Sequence, residues 1–327
     1  MLYPVSDLTS NRRKMSVWSS ARGTVKASAN FKMADDVSVL RKAMEGLGTT
    51  EKKLVDVLTQ RSNAQRLLIS DAYQKATGRA LIDDLKSDTG GDFEDVLVAL
   101  VTPPDVYDCR EIISAIKGAG TTESVLTEMF ASRTNKQIVA FSAAYLAGKR
   151  PLQIVVWFED FVNKFQYGLY HVHLRHFCTH VSLQILYEAG EKKWGTDESK
   201  FVDILCHSSV PQLRQTMVEY KSISKKSLQE SIEGEMSGNL EDLLVAIVKC
   251  AKSTPTYLAE RLFKGMKGPG TTESILTRII VSRSELDLLD IRADYKKLFG
   301  TSLYSALTSE VSGDYGECLK RLCGGED

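Results

Sequence analysis

The chain has 327 residues, of which 43% are hydrophobic, and 42 basic residues balance 42 acidic ones. This excludes a global field that would draw it to nucleic acid or to an anionic membrane, so such attraction must be local or borrowed from a bound cation. No run approaches ~18 apolar residues, no secretory leader is evident, and the six scattered cysteines include no Cys-x-x-Cys pair; a reduced, cytoplasmic chain is expected.

Residues 1–30 are polar and aperiodic apart from Trp18, and read as an arm lying on the repeated modules. The first module, 31–102, carries the loop Met44-Glu45-Gly46-Leu47-Gly48-Thr49. Thr49 is expected as a helix N-cap, with Glu51 in the first turn where the dipole favours an acid. Leu54, Val57 and Leu58 then give the i, i+3, i+4 stripe of a core-facing helix. Pro103-Pro104 closes the module.

The second module, 103–182, repeats the loop as Ile116-Lys117-Gly118-Ala119-Gly120-Thr121 and continues through Leu126, Met129 and Arg133. From Leu146 to Ser182 the pattern fails, and the stretch reads as a spliced-in or misread exon between well-matched flanks. The third module, 183–252, has Gly190, then Lys193-Trp194-Gly195-Thr196; the fourth, 253–327, has Met266-Lys267-Gly268-Pro269-Gly270-Thr271.

The second loop glycines, Gly48, Gly120, Gly195 and Gly270, are spaced by 72, 75 and 75 residues. Forty residues after them stand Asp88, Asp160, Glu235 and Glu310; thirteen after them stand Arg61, Arg133, Ser208 and Arg283. So regular a period marks an internal repeat, each copy one supersecondary unit stacked on its neighbours. No segment alternates as a strand would, so the expected class is all-α.

Glycines at alternate positions let backbone turn sharply and aim several carbonyl oxygens at one point. Such a cluster suits a hard cation, and calcium takes about six to eight oxygens. In the fourth module the carbonyls of Met266, Gly268 and Gly270 with two oxygens of Glu310 make five, leaving room for water or a lipid phosphate. The site should bind calcium weakly alone and better when an anionic headgroup joins it.

The loops, the paired acids, Arg22-Gly23-Thr24-Val25 and the closing Gly313-Asp314-Tyr315 resemble annexin repeats. The resemblance covers roughly residues 15–145 and 183–327. It implies four repeats of about five helices each forming a curved disc, with repeat 2 disrupted in its second half. It also implies calcium held by Met44, Gly46, Gly48 and Asp88, with Thr49 and Glu51 at a secondary position. Gly190, Lys193, Gly195 and Glu235 would serve in the third repeat, and Met266, Gly268, Gly270 and Glu310 in the fourth. In the second repeat Ile116, Gly118 and Gly120 remain without an assured carboxylate.

The implied function is calcium-dependent binding to acidic, phosphatidylserine-type phospholipid membranes, peripheral when calcium rises, with the N-terminal arm a candidate contact for a protein partner. Nucleic acid and catalysis are not expected. The competing readings are a calcium-independent helical scaffold, in which the loops are only turns, and a phosphoester hydrolase.

Several blander or rival accounts stand beside these. Asp88, Glu235 and Glu310 could be ordinary acids at helix N-termini. His171, His173, His176, Cys178 and His180 have zinc-ligating side chains, but their spacing matches no standard pattern. Trp157, Phe158 and Phe161 read as packing. Gly265 to Thr272 fails as a phosphate loop because Thr271 stands where lysine is required and no strand precedes it. Ser208, replacing the arginine of the other repeats, predicts a locally weaker third core.

Overall fold

A computed structural model describes residues 22–45, 48–117, 121–147, 179–190, 196–268 and 270–326. All regular structure among these residues is helical, and no strand occurs. The chain divides into two compact units, one made of residues 1–101 with 265–327 and the other of 102–264.

In the first unit, α1 (Met33–Ala43), α2 (Glu51–Leu58), α3 (Asn63–Thr77), α4 (Leu81–Asp88) and α5 (Gly91–Val101) form one five-helix group. The second unit contains α6 (Pro104–Ile116), α7 (Glu123–Ser132), α8 (Asn135–Ala147), α9 (Thr179–Ala189), α10 (Glu198–His207), α11 (Val210–Ser224) and α12 (Leu228–Glu235). A long helical stretch, α13 (Gly238–Met266), follows, then α14 (Glu273–Arg283), α15 (Leu288–Phe299), α16 (Leu303–Glu310) and α17 (Gly313–Cys323).

The stretch α13 is two helices in direct succession. Ser253 leaves helical geometry (φ −159°, ψ 109°), and its Oγ accepts hydrogen bonds from Thr256 N at 3.2 Å and Thr256 Oγ1 at 2.7 Å. Ser253 is therefore an N-cap, and Pro255 falls in the first turn of the new helix, where a missing N–H costs nothing. The serine and proline together end one module and start the next without a loop.

Each module buries the apolar stripe that its sequence lays out. Leu40, Leu54, Leu58, Ile69, Leu85 and Leu97 are fully buried in the first, and Ile112, Met129 and Phe141 in the second. The third core gathers Leu186, Phe201, Leu205, Leu228, Ile232 and Leu244. Helix starts are fixed by side-chain caps: Ser62 with Gln65, Ser209 with Gln212 and Ser227 with Glu230 form reciprocal capping boxes.

The arginines thirteen residues past the loop glycines hold buried ion pairs. Arg61 grips Asp36 through Nε (2.6 Å) and Nη2 (2.8 Å), and Arg133 grips Asp108 through the same atoms at 2.8 and 3.0 Å. The partner acids stand seven residues before Ala43 and Ala115, the last loop-closing residues of α1 and α6. The equivalent position before Ala189 is Ser182, which is buried, and before Gly265 it is Leu258. Arg283 turns instead to Asp287, four residues on, at 2.7 and 2.5 Å.

In the third module arginine and aspartate are thus both replaced by serine. Neither charge is left buried alone, which is the expensive case. The weaker third core expected from Ser208 alone does not follow, because the loss is matched.

The arm from Arg22 to Ser28 lies on the first unit. Val25 N donates to Ser284 O (3.0 Å), Leu289 N to Arg22 O (2.9 Å), and Ser28 exchanges two 2.9 Å bonds with the Gln65 side chain. Thr24 Oγ1 donates to Leu322 O at 2.5 Å. Residues 1–21, including Trp18, lie outside the described residues.

Candidate functional site

Each of the four loops is closed by the same backbone bond. Thr50 N donates to Ala43 O (2.8 Å), Thr122 N to Ala115 O (2.8 Å), Asp197 N to Ala189 O (2.9 Å) and Thr272 N to Gly265 O (2.8 Å). Six residues lie between the partners in three of the loops and seven in the third, Gly190 to Thr196. The donor residue then starts a helix with nearly the same geometry each time (ψ 78°, 79°, 82° and 85°). Glu51, Glu123, Glu198 and Glu273 occupy the first helical position in turn, against the positive end of the dipole.

Thr49 is not the N-cap that its sequence position suggests. Thr50 precedes α2, and no side chain caps that helix. Thr49 Oγ1 is committed elsewhere, donating to the carbonyl oxygen of Asp88 at 3.1 Å. Thr196 makes the equivalent bond in the third module, to Glu235 Oε2 at 2.8 Å with a longer approach of 3.4 Å to Glu235 O. These threonine contacts draw the end of each loop to an acid 39 residues later. No such bond joins Thr271 to Glu310 among the described residues, and Glu310 is exposed.

The acids are not at helix N-termini. Asp88, Glu235 and Glu310 are the last residues of α4, α12 and α16. A carboxylate there faces the negative end of the dipole and the orphan carbonyls of the last turn. The bland account of these acids as dipole-satisfying residues is thereby removed. None of the three has an ion-pair partner among the described residues; the Asp88 carboxylate accepts from Ser87 Oγ at 2.7 Å.

The loop entrances add more unpaired oxygen. Met44 is the C-cap of α1, Ile116 and Met266 are the last residues of α6 and α13, and Gly190 follows α9 directly. Carbonyls at these positions have no intrahelical donor. Gly48 (φ 97°), Gly268 (φ 135°) and Gly270 (φ 108°) adopt backbone that side chains rarely tolerate, and all three are exposed. Gly268 O also accepts from Gly270 N at 3.0 Å, which leaves one of its lone pairs.

Gly46, Gly118, Gly120, Lys193 and Gly195 lie outside the described residues, as do Trp194, Asp160 and the histidines from His171 to His176 with Cys178. No cluster of three or more His, Cys, Asp or Glu side chains is present among the described residues. A cation held at these loops would draw on main-chain oxygens with one carboxylate, a donor set that suits calcium. No described helix is long and apolar enough to cross a membrane.

Comparison with known proteins gives a consistent picture. The Annexin family model matches residues 35–100, 183–247 and 257–322, leaving the second module unmatched. Annexin A3 of Bos taurus is 48% identical over 322 residues, covering 95% of this chain and 99% of its own length. The structure of annexin III superposes with a TM-score of 0.87 at 46% identity, over 95% of this chain and 100% of that one. The structure titled calcium-bound annexin (Sm)1 aligns at 30% identity with a TM-score of 0.77, over 93% of each chain.

Proposed function

The chain belongs to the annexin family, and we propose from that premise that it binds anionic phospholipid membranes peripherally through calcium, without catalysis. Its modules are read as 31–102, 103–182, 183–252 and 253–327, behind an arm of residues 1–30. The observation that carries the reading is the placement of unpaired acids on helix C-termini beside loops that offer orphan carbonyls. Two negative helix ends and a carboxylate facing one loop make a poor neighbourhood for an isolated chain and a good one for a divalent cation.

The residues read as calcium-holding are Met44, Gly46, Gly48 and Asp88, with Thr49 and Glu51 nearby; Gly190, Lys193, Gly195 and Glu235; and Met266, Gly268, Gly270 and Glu310. Ile116, Gly118 and Gly120 form the corresponding loop of the second module. When bound, calcium would supply a positive centre that accepts a lipid phosphate oxygen. The protein's own part is to hold the loop closed, through Thr50 N on Ala43 O and its equivalents, and to hold the acid against the loop through Thr49 and Thr196. In the third module Thr196 donates to the same carboxylate that would ligate, so Glu235 is oriented in advance.

Co-sedimentation with phosphatidylserine vesicles tests this directly. Pelleting in calcium and release by chelator is the expected result; equal pelleting in both conditions refutes the bridge and favours a calcium-independent scaffold.

A further inference from the structure

We propose that a cavity between the second and third modules binds an extended, uncharged peptide segment of a partner protein, in a seat equivalent to the one that the chain's own arm fills in the other unit. The turns joining the second and third helices of each module build both seats. In the first unit these are residues 59–62, before α3, and 284–287, before α15, and Arg22–Ser28 lies across them. In the second unit they are Arg133-Thr134, before α8, and Ser208-Ser209, before α11. Here the two turns border a cavity of about 490 Å³, within the range of ~300–1,000 Å³ for sites that enclose ligands.

The two seats share a register. Eleven residues after the acid that starts the second helix stand Ser62, Thr134, Ser209 and Ser284, and fourteen after it stand Gln65, Gln137 and Gln212 in the first three modules. Each glutamine Oε1 accepts from its own cap amide, Ser62 N at 3.2 Å, Thr134 N at 3.0 Å and Ser209 N at 3.0 Å. Gln65 also clamps the arm: Nε2 donates to Ser28 O and Oε1 accepts from Ser28 N, both at 2.9 Å. The Nε2 groups of Gln137 and Gln212 meet no acceptor among the described residues, and both glutamines are half-buried where Gln65 is buried. Gln212 stands between Pro211 and Leu213 of the cavity wall, and Ser208 Oγ in that wall has no partner among the described residues either.

The differences between the seats define the occupant. Phe130, Ile138, Leu205, Leu213 and Ile247 make the cavity floor apolar. No carboxylate lines it among the described residues, and the Arg133 guanidinium in the wall is already gripped by Asp108. Asp290, which pairs with Arg22 at 2.6 Å, corresponds to Ala140, and Glu285 corresponds to Asn135. A charged segment would lose its hydration here and gain no counter-charge. The turn 284–287 also crowds the arm, so that a Cβ on Gly23 would meet the Glu285 backbone at 2.4–2.6 Å. The second unit's turns are two residues each, and the space they leave admits side chains where the arm carries only glycine. Apolar side chains on the floor supply affinity, and main chain held by Gln212 and Ser208 supplies direction.

The test titrates two capped heptapeptides into the full chain, in chelator, by isothermal calorimetry. One has the arm's sequence from Arg22 to Ser28; the other carries alanine in place of Arg22 and Lys26 and valine in place of Gly23. The neutral peptide should bind saturably, about tenfold more tightly than the arm peptide. Gln212→Glu keeps the Oε1 acceptor for Ser209 and loses the donor, so it should weaken the neutral peptide about tenfold. Methylating the peptide's main-chain nitrogens should weaken it similarly. Ser208→Trp, which fills the cavity, should abolish binding, with circular dichroism as the check on folding; if that variant does not fold, Gln212→Glu decides.

No saturable binding at millimolar peptide overturns the proposal, the result expected if another segment of the same chain fills the cavity. Binding indifferent to both Gln212→Glu and main-chain methylation overturns it too, since it marks adhesion to an apolar hollow. Equal or tighter binding of the arm peptide assigns the seat to a second copy of this chain and overturns the partner assignment.

Discussion

Replacing Asp88 by Asn and Glu235 by Gln should produce two opposite effects, and their combination is diagnostic. Without calcium, each carboxylate is partly exposed at a helix C-terminus and has no cation beside it. Removing such a charge should stabilise the apo protein by about 0.3–1 kcal/mol per site. The isosteric amides retain the acceptors for Ser87 and Thr196, so little else changes. With calcium, the loss is larger. A unit charge about 4 Å from a divalent ion contributes roughly 2 kcal/mol even at a water-like dielectric of ~80, and roughly 8 kcal/mol at ~20. The lower figure corresponds to about 30-fold in the affinity of that site. Denaturant unfolding in chelator measures the first effect, and the calcium midpoint of vesicle pelleting for the double variant measures the second. A double variant that is less stable without calcium, or that pellets at an unchanged calcium midpoint, would refute the assignment of these acids.

Three further outcomes are expected. Gly23→Ala places a Cβ within 2.4–2.6 Å of the Glu285 backbone, so the arm must lift; urea unfolding should register a loss of about 1–3 kcal/mol. Asp108→Asn removes the carboxylate that the Arg133 guanidinium, 2% exposed, grips through two donors, a loss of about 3–5 kcal/mol; Asp108→Ser/Arg133→Ser, copying the third module, should recover much of it in the same measurement. Burial pushes the Cys318 thiol up to about 12 and the Cys206 thiol likewise. The unfolded thiols lose their protons first, near pH ~8.5, so stability should fall by about 1.4 kcal/mol per pH unit per thiol above that point, as measured by denaturation between pH 8 and 10.

The periodic parts of this molecule are legible in its sequence. Glycines at intervals of 72 and 75 residues announce repeated loops, and apolar stripes such as Leu54, Val57 and Leu58 announce the helices behind them. The loop-to-acid spacing of forty residues also points to the helix end that carries Asp88 or Glu235. Which end of the helix it is cannot be read from spacing, because an acid followed by Ser or Thr and Gly suits the close of one helix as well as the start of another. The role of Thr49 was hidden for a related reason. Its hydroxyl suits an N-cap bond to a nearby amide as well as a bond to Asp88 O 39 residues away, and tertiary contact decides between them. The serine pair at Ser182 and Ser208 was half visible. The missing arginine is seen by counting forward from the loop glycine, whereas the missing acid emerges only when one counts back from Ala189, because the third loop is one residue longer. Ser253 and Pro255 carried the signal for a helix restart, a capping residue with proline two positions on.

The docking of the Arg22–Ser28 arm has a consequence for biosynthesis. Thr24 bonds to Leu322, 298 residues later, and the unit to which both belong is assembled from the two ends of the chain. Residues 102–264 are continuous and are all available to the growing chain before that other unit has its last 63 residues. The expected order of folding during synthesis is then the continuous unit first and the divided one after it, against the usual N-terminal-first sequence. The Arg22–Ser28 segment waits for α17 before it finds its partners, and a nascent chain stalled before α17 would expose the apolar faces of α2 and α5 that α17 covers.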